Sequence, residues 1–504
     1  MERAGSLGDL QEDLAEDEPD PDELASWRRT SFDEPSPFMV LQYPLLQFGQ
    51  SATLTRREAV TNLLANMLGV GLLAMPRAVA EAGLVTGMLV LAAAAAASRE
   101  ALLLLLTLSG HTGHRGPSYP EIAKRATGVQ GLALALTVYL LYSGGLLTAY
   151  LVALADMLQQ AFGDLQGTPD VPRLPAVVVA VALCAPGTAL RSLRFVAAIS
   201  GVCLVGAGLL LLSLLAACLL DVLPSWLPGA PEDAAGVSED VVLVQTGAGG
   251  LLTAASLFAV QFSVHGGFIE ALGPSGGREA ELEPAAGRRD CLVDMEAASR
   301  DAFLAATLLL GSVAVAGYMR FGGSVAGNVL ASFGTGYMAV GGARRAALLV
   351  ARAAYGITLA ASSAYVAAPC RTAVLELFAV RRSMGGTSNR AFRRATVLML
   401  SVCGFVAWLQ KDLSLVLSFV GAWAAGPLAL LLPSFFAVEL ARRQEGRPVL
   451  SLLNLRYFGF FALGALLLLG HVCASAASVL SQPPGHRGHR VTVHHLANIT
   501  SFLP

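Results

Sequence analysis

The residues best suited to chemistry in this sequence lie in an apolar stretch, Thr61 to Gly87, that glycine and proline interrupt. Gly69 and Gly71 expose backbone and carry no side chain for packing, and Pro76 follows within the same stretch. In hydrocarbon, a freed backbone N–H or C=O is tolerated only where protein or a water-filled cavity satisfies it. A broken helix in a membrane therefore predicts that a polar group binds at the break.

The composition predicts that this stretch lies in a polytopic membrane protein. Of the 504 residues, 55% are hydrophobic and 14% are charged, whereas soluble domains average about 25% charged residues. Several apolar runs of about 20 residues recur, and each is long enough to cross a bilayer as a helix. The expected surroundings are therefore a lipid bilayer. A net charge of −2 gives no sign of nucleic-acid binding, and the seven cysteines have no metal-ligand spacing.

Eleven transmembrane spans are predicted from the apolar runs. They lie near 58–80, 84–108, 131–158, 174–187, 193–220, 246–270, 301–320, 343–368, 395–410, 412–438 and 457–480. Basic residues concentrate in the loops after the even-numbered spans, which places those loops and the N-terminus in the cytosol. Residues 1–54 are expected to form a disordered acidic cytosolic tail, 55–480 the transmembrane domain, and 481–504 a short extracytosolic tail.

Three charged residues fall near the middle of predicted spans, where a charge is expected to face the protein interior or to pair. They are Arg99 and Glu100 in span 2 and Arg352 in span 8. Adjacent residues on a helix do not face each other, so Arg99 and Glu100 are not expected to pair. The pairing that the sequence suggests is Glu100 with Arg352.

Motifs in a fixed order give the chain a family resemblance. They are Gly69–Pro76 in span 1, Tyr119–Lys124 before span 3, Phe258–His265 in span 6, Gly317–Gly322 after span 7 and Val420–Pro433 in span 10. Together they resemble the amino acid/auxin permease family, whose members share the amino acid transporter transmembrane domain. The resemblance extends to sodium- or proton-coupled neutral amino acid transporters and to vesicular inhibitory amino acid transporters.

The resemblance implies an all-α polytopic membrane protein of about 11 transmembrane helices. Its fold would be the leucine-transporter-like inverted repeat of five plus five helices, with one helix added. Inverted repeats predict interrupted helices at corresponding positions of the two halves. The sequence meets this expectation, because Gly69–Gly71 interrupts span 1 and Gly266–Gly267 interrupts span 6.

A substrate site for an amino acid between spans 1 and 6 follows from the resemblance. The break at Gly69 would expose the amides of Val70, Gly71 and Leu72 at a half-helix N-terminus, where a carboxylate binds well. The carbonyls of Asn66 or Ala65 would face the ammonium group or a cation. A plain helix kink with close packing is the alternative interpretation.

Span 6 and span 3 would supply the other walls of the site. Phe258 and Phe262 would cover the bound side chain, and carbonyls near Gly266 would accept the ammonium group. His265 is a candidate for substrate binding and for proton coupling, with a structural hydrogen bond as the alternative. Tyr142 would reach a substrate oxygen, or else pack as a buried tyrosine against span 8.

The coupling ion stays open between H⁺ and Na⁺. Ser362 and Ser363 precede Pro369 in span 8. In sodium-coupled relatives, paired hydroxyls near this place and carbonyls of the broken span 1 hold Na⁺. Those relatives often carry Asn where this chain has Ala65, which weakens the case for sodium. Apart from the coupling ion, no metal, cofactor or catalytic residue is expected.

The sequence therefore predicts a secondary active transporter that moves amino acids across a membrane by alternating access, as a symporter and as a monomer. The expected location is the plasma membrane or a vacuolar, lysosomal or endosomal membrane. The alternative is a transporter-like amino-acid sensor that signals through its cytosolic N-terminal tail. An enzyme is not expected, because the sequence lacks HExxH, GxSxG, P-loop and clustered carboxylate motifs.

Overall fold

The computed structural model describes the transmembrane part of the chain in several segments. The described residues are 56–110, 119–166, 171–189, 204–216, 240–265, 285–333, 343–379, 389–446, 448–449 and 454–480. Both predicted tails lie outside them, and so do Gly266 and Gly267 of the second predicted break. All regular secondary structure within the described ranges is helical.

Each predicted span overlaps a described helix, and we keep the span numbers for these helices. Span 1 comprises Arg56–Met67, a 3₁₀ turn at Val70–Ala74, and Met75–Ala82. Spans 2 to 8 are Leu84–Gly110, Tyr119–Gln166, Arg173–Ala189, Leu204–Ala216, Ala248–Phe262, Ala285–Phe321 and Ala343–Ala379. Span 9 is Asn389–Leu409, span 10 runs through Leu413–Val420, Gly421–Ala425, Pro427–Leu431 and Leu432–Glu445, and span 11 is Leu455–Leu480.

The length and apolar character of these helices suit a multi-pass membrane protein. Within the described residues, six helices are long and apolar enough to cross a bilayer, and the bent pair of span 1 makes a seventh. Spans 4, 5 and 6 are shorter apolar helices in their described parts. Large apolar side chains such as Leu89, Leu308 and Val402 are exposed on the outer faces of spans 2, 7 and 9. Lipid is the solvent that such faces require.

Span 1 is broken where the glycines predicted it. Its two halves meet at an angle of 46°. Gly69 leaves the helical conformation, with φ −79° and ψ −158°, and the chain resumes as a 3₁₀ turn. Every residue from Val70 to Ala74 is buried. The break therefore lies in the protein interior, where its backbone groups must be satisfied by protein or by a ligand.

The two broken spans lie at the centre of the helix packing. Span 6 packs against both halves of span 1 and also against spans 2, 10 and 11. Span 3 packs along span 8, and span 7 covers span 1. Fully buried side chains on span 1, such as Leu63, Met67 and Leu73, fill the space between these helices. Spans 3, 7 and 8 thus form a scaffold around the breaks.

The predicted pairing of Glu100 with Arg352 is wrong. Arg99 donates to the adjacent Glu100 at 2.8 Å, and it also lies 3.8 Å from Glu296 near the start of span 7. Arg352 instead donates to the carbonyls of Leu330 and Phe333, beyond the end of span 7, at 3.2 and 2.8 Å. The two sites lie at opposite ends of span 7, which is too long for the side chains to bridge. The expectation that Arg99 and Glu100 do not pair is also wrong, because the long guanidinium side chain turns along its own helix to reach the neighbouring carboxylate.

Span 10 contains two π-helical turns that the sequence did not predict. They occupy Gly421–Ala425 and Pro427–Leu431, in the middle of the span. π-Turns are rare and often occur at functional sites. Gly421 lies against the backbone of span 6, so that a Cβ at this residue would be 1.9 Å from the carbonyl oxygen of Ser256. Span 10 is therefore in direct contact with the helix that leads into the second break.

Candidate functional site

The backbone of the span 1 break leaves the amides of Gly69, Val70 and Gly71 without an intrahelical acceptor. The amide of Leu68 donates to the carbonyl of Leu64 at 2.9 Å and closes the first half of the span. The amide of Leu72 donates to the carbonyl of Gly69 at 3.1 Å and opens the 3₁₀ turn. Val70 and Gly71 are the first residues of that turn, where N–H groups lack a helical partner. Of the three amides predicted to bind the carboxylate, those of Val70 and Gly71 are still available as donors. The third, the amide of Leu72, already donates to the carbonyl of Gly69.

A tyrosine of span 8 contacts the same break. The hydroxyl of Tyr355, a fully buried residue, donates to the carbonyl of Gly69 at 2.9 Å. That carbonyl thus accepts from both Tyr355 and Leu72, which occupies its two lone pairs. Sequence reasoning missed Tyr355, although a tyrosine in an apolar span is a common means of bringing one polar group into a packed interior.

A tyrosine of span 3 makes the corresponding contact with span 6. The hydroxyl of Tyr142 donates to the carbonyl of Ser263 at 2.8 Å. Spans 3 and 8 occupy equivalent positions in the two halves of an inverted repeat, as do spans 1 and 6. Each half therefore donates one tyrosine hydroxyl to the broken helix of the other half. Of the two interpretations of Tyr142 from sequence, neither named this carbonyl as its partner.

Span 6 unwinds earlier than its glycines predicted. The helix ends at Phe262, and Ser263 has φ −83° and ψ 65°. The amides of Ser263 and Val264 donate to the carbonyls of Val260 and Phe262, at 3.3 and 3.0 Å, in tight turns rather than in α-helical bonds. The break therefore begins at Ser263, and the predicted site at Gly266 lies outside the described residues.

Gln261 joins the two breaks and was missed by sequence reasoning. Its carboxamide lies against Gly71, because a Cβ built on Gly71 would be 2.0 Å from Oε1 and 3.0 Å from Nε2 of Gln261. The side chain is only 4% exposed. Within the described part of the chain, its Nε2 has no hydrogen-bond partner. The available signal was the single carboxamide of span 6.

The two predicted phenylalanines are both buried in span 6. Phe262 stacks on Phe303 of span 7, with ring centroids 5.7 Å apart and planes 17° apart. Its ring is therefore held by span 7, on a different side of the helix from Gln261. Phe258 is fully buried one turn earlier. Their role in covering a substrate side chain stays a prediction.

His265 makes a hydrogen bond that fits its structural alternative. The fully buried ring lies with Nε2 3.0 Å from the carbonyl oxygen of Ser98 in span 2. Because that carbonyl can only accept, Nε2 carries the proton and donates. The other ring nitrogen, Nδ1, has no partner among the described residues. Proton coupling through His265 stays a prediction.

The predicted ion-coupling residues do not share one surface. Asn66 is exposed, and its side chain donates to the carbonyl of Asn62 at 2.9 Å, while Ala65 is half-buried. Ser363 donates to the carbonyl of Ala360 at 2.7 Å and lies beside Cys184 of span 4. Ser362 lies two helical turns after Tyr355, on the face of span 8 that reaches Gly69. The hydroxyl of Ser363 is thus engaged with its own helix and lies beside span 4, and ion coupling through these residues stays a prediction.

The side chains at the two breaks carry no fixed charge. Leu68–Leu72 and Gln261–His265 contain no Asp, Glu, Lys or Arg, and the described side chains that reach them include the tyrosines 142, 150 and 355. In the described residues no group of His, Cys, Asp and Glu could hold a metal ion. The donors and acceptors offered here are neutral amides, hydroxyls, carbonyls and one imidazole. Such a set offers both donors and acceptors without a fixed charge.

A separate cavity of about 690 Å³ is lined by charged residues from several spans. The ion pair of Arg173 with Asp156, at 2.6 Å, forms part of its wall, and the side chains are 5% and 13% exposed. Arg352 lines the cavity one turn before Tyr355. None of the predicted site residues lines this cavity, which therefore does not include the predicted substrate site at the breaks.

Comparison with known proteins gives the chain a family and a fold. A family model described as transmembrane amino acid transporter protein matches residues 52–270 and 289–494, which is most of the chain. Vacuolar amino acid transporter 5 of Schizosaccharomyces pombe is 28% identical over 169 residues. That match spans 32% of this chain and 37% of the yeast protein, so the chain aligns with only about a third of the length of this relative.

Structural neighbours of the chain include two solved states of Mhp1, a nucleobase-cation-symport-1 family transporter. The closed state with bromovinylhydantoin bound has a TM-score of 0.51 and 17% identity, and it covers 87% of this chain and 97% of its own. The inward-facing state has a TM-score of 0.57 and 14% identity, with coverage of 87% and 93%. At these identities the likeness establishes the fold alone, which is the leucine-transporter-like helical fold that the sequence predicted. From its sequence match and its helical fold, the chain belongs to the transmembrane amino acid transporter protein family.

Proposed function

We propose that this protein is a secondary active transporter that moves neutral amino acids across a membrane by alternating access. The observation that carries the proposal is the buried break of span 1, where the amides of Val70 and Gly71 have no helical acceptor and Gly71 lies against Gln261 of span 6. Interrupted helices at corresponding positions of two repeats are typical of substrate sites in transporters of this fold. Family membership supports an amino acid as the transported molecule, and a transporter rather than an enzyme.

The carboxylate of the substrate would bind the amides of Val70 and Gly71. Backbone amides at a helix N-terminus stabilise an anion through hydrogen bonds and the helix dipole, without a fixed cation that would retain it. The ammonium group would bind carbonyls where span 6 unwinds, beginning with Ser263, whose carbonyl has one lone pair left after it accepts from Tyr142. Because Leu68–Leu72 and Gln261–His265 of the described chain contain no charged side chain, a substrate with a charged side chain would lack a partner in these segments.

Transport would be driven by a gradient of H⁺ or Na⁺, which the geometry leaves as two candidates. His265 offers an unpartnered Nδ1 among the described residues, which suits a proton. Ser362 and the carbonyls near Ala65 are the oxygen ligands available to sodium. The excess of basic residues in the loops after even-numbered spans supports a cytosolic N-terminus. The charged cavity of about 690 Å³ would then face the extracytosolic side, as an entry vestibule.

The test is uptake by the purified protein in liposomes. Labelled alanine, serine, glutamine and leucine are supplied as neutral L-amino acids, with arginine and glutamate as charged comparisons, and Na⁺ and pH gradients are imposed separately. We expect accumulation of at least one neutral amino acid under one of the two gradients. Binding without accumulation under either gradient would overturn the proposal and would favour the sensor interpretation.

A matched pair of glycine variants locates the site. Gly71→Leu fills the space at the break and should abolish uptake, because a Cβ at Gly71 already meets Gln261. Gly459→Leu places the same side chain on span 11, where a Cβ would meet nothing within 4 Å. That control variant should transport like the unmodified protein. Equal transport by the two variants would remove the span 1 break from the proposed site.

A further inference from the structure

We propose that the carboxamide of Gln261 is a third donor to the substrate carboxylate, beside the amides of Val70 and Gly71. This inference rests on the proposed transport function and assigns a binding role to a side chain of span 6. The side chain comes from one broken helix and lies against the backbone of the other. It is the described side chain that most directly connects the two breaks.

The position of Gln261 carries the first part of the argument. Its Oε1 and Nε2 would be 2.0 and 3.0 Å from a Cβ on Gly71, so the carboxamide lies next to the Cα of Gly71, with the N–H₂ group the farther of its two polar ends. The amide nitrogen of Gly71 is bonded to the same Cα. A carboxylate that accepts from the Gly71 amide therefore lies within reach of the Gln261 side chain.

The carboxamide of Gln261 also has a donor that no described residue satisfies. The residue is 4% exposed, and its Nε2 has no partner in the described part of the chain. A buried donor without a partner costs about 1–3 kcal/mol, so a ligand that accepts from Nε2 would recover this cost. An ionised carboxylate has about four acceptor positions, which leaves room for this donor after the two backbone amides.

The carboxamide of Gln261 is also chemically suited to bind a carboxylate that must later be released. A carboxamide donates without a net charge, so it strengthens carboxylate binding and leaves the substrate free to dissociate. The position of this carboxamide also explains why residue 71 is glycine, because Gln261 occupies the space that a β-carbon on residue 71 would fill. An alanine at position 71 would push the flexible end of Gln261 aside rather than collide with rigid backbone. Gly71→Ala is therefore a second variant, besides direct replacement of Gln261, that should remove the Gln261 donor from the carboxylate.

The experiment measures KM and maximal uptake rate for the best-transported neutral amino acid of the liposome panel. Gln261→Met keeps the length of the side chain and removes the donor. We expect KM to rise about 10- to 100-fold, the factor that corresponds to one lost hydrogen bond to a charged group. Gln245→Met, at an exposed glutamine, is the control and should leave KM unchanged.

Two further measurements separate carboxylate binding from a packing role. The carboxamide analogue of the same amino acid, which lacks the carboxylate, should compete equally weakly in the unmodified protein and in Gln261→Met. Gly71→Ala should raise KM by a factor similar to Gln261→Met, and the double variant should be no worse than either single variant, because both remove one contact. A packing role predicts that the factors multiply and that binding of the analogue weakens as well.

The outcomes for this inference and for the proposed function are distinct. If the unmodified protein accumulates a neutral amino acid and Gln261→Met has a KM within twofold of it, the inference fails and the transport function stands. If the unmodified protein accumulates none of the panel, the transport function fails and the inference fails with it. Should Gln261→Met be poorly folded, the KM of Gly71→Ala decides between the outcomes in the same way.

Discussion

Replacement of Tyr355 by phenylalanine tests whether the tyrosine hydroxyls hold the broken helices in place. The change removes one O–H donor and leaves the aromatic ring of a fully buried residue. The lost hydrogen bond runs from Tyr355 to the Gly69 carbonyl at 2.9 Å, and that carbonyl keeps its second donor, the Leu72 amide. A neutral hydrogen bond contributes about 1 kcal/mol, and a carbonyl that keeps one partner avoids the larger cost of an orphaned group.

A loss of about 1 kcal/mol corresponds to a factor of about 5 in an equilibrium constant. In a chain of this size it should lower the thermal midpoint by about 1–2 °C, because the midpoint shift per kcal/mol falls as chain length rises. Under the proposed mechanism, span 1 moves relative to span 8. The same hydrogen bond would then favour the conformation in which it forms, and its loss would change the maximal uptake rate by up to about fivefold.

The assay combines thermal unfolding of the purified protein in detergent with uptake in liposomes. Tyr142→Phe is the matched variant in the other half, since its hydroxyl donates to the Ser263 carbonyl at 2.8 Å. The two hydroxyls have different partners, so the effects on the unfolding free energy should add in the double variant. Tyr457→Phe, at a partly exposed tyrosine that accepts from Arg456 at 2.8 Å, is the surface control.

Two results would refute this reasoning. A midpoint for Tyr355→Phe equal to that of Tyr457→Phe, with unchanged uptake, would mean that the hydroxyl contributes nothing to holding span 1. A decrease of more than about 5 °C would mean that the carbonyl has no second donor, contrary to the bond from Leu72.

Two further variants test the packing and the charge pairing around the site. Gly421→Ala should lower the unfolding free energy by several kcal/mol, because its Cβ would lie 1.9 Å from the carbonyl oxygen of Ser256 and backbone cannot move aside cheaply. The control is Gly459→Ala, whose Cβ lies in open space. It should be neutral or slightly stabilising in the same thermal assay. Arg173→Met should cost about 3–5 kcal/mol, because it leaves the buried carboxylate of Asp156 without its partner. Addition of Asp156→Asn should restore part of that loss, and equal midpoints for the single and double variants would argue against this ion pair.

Local signals predicted most of the fold. Hydropathy depends on composition within one span, and each predicted span overlaps a described helix. The break at Gly69 was equally readable, since glycine weakens a helix wherever it occurs. The position of the break in span 6 was harder to predict from the sequence. The helix ends at Phe262 because of turns at Ser263 and Val264, whose side chains give no such signal.

The sequence did not predict which side chains from distant spans contact each other. The suggested partner of Arg352 was wrong because hydropathy gives the depth of a charge only roughly and does not show which neighbour it faces. The two serines of span 8 were predicted as a pair. A rotation of 100° between adjacent helical residues instead turns Ser363 toward Cys184.

The sequence by itself determined that the chain crosses a membrane, that its first span is broken at Gly69, and which transporter family its motifs resemble. Only the tertiary structure decided what contacts the breaks: Tyr355 on Gly69, Tyr142 on Ser263, and Gln261 on Gly71. The physical reason is range. Helix formation and membrane insertion depend on neighbouring residues, whereas these contacts join spans far apart in the chain. They depend on the rotation of each helix about its axis, which the packing of the whole bundle sets.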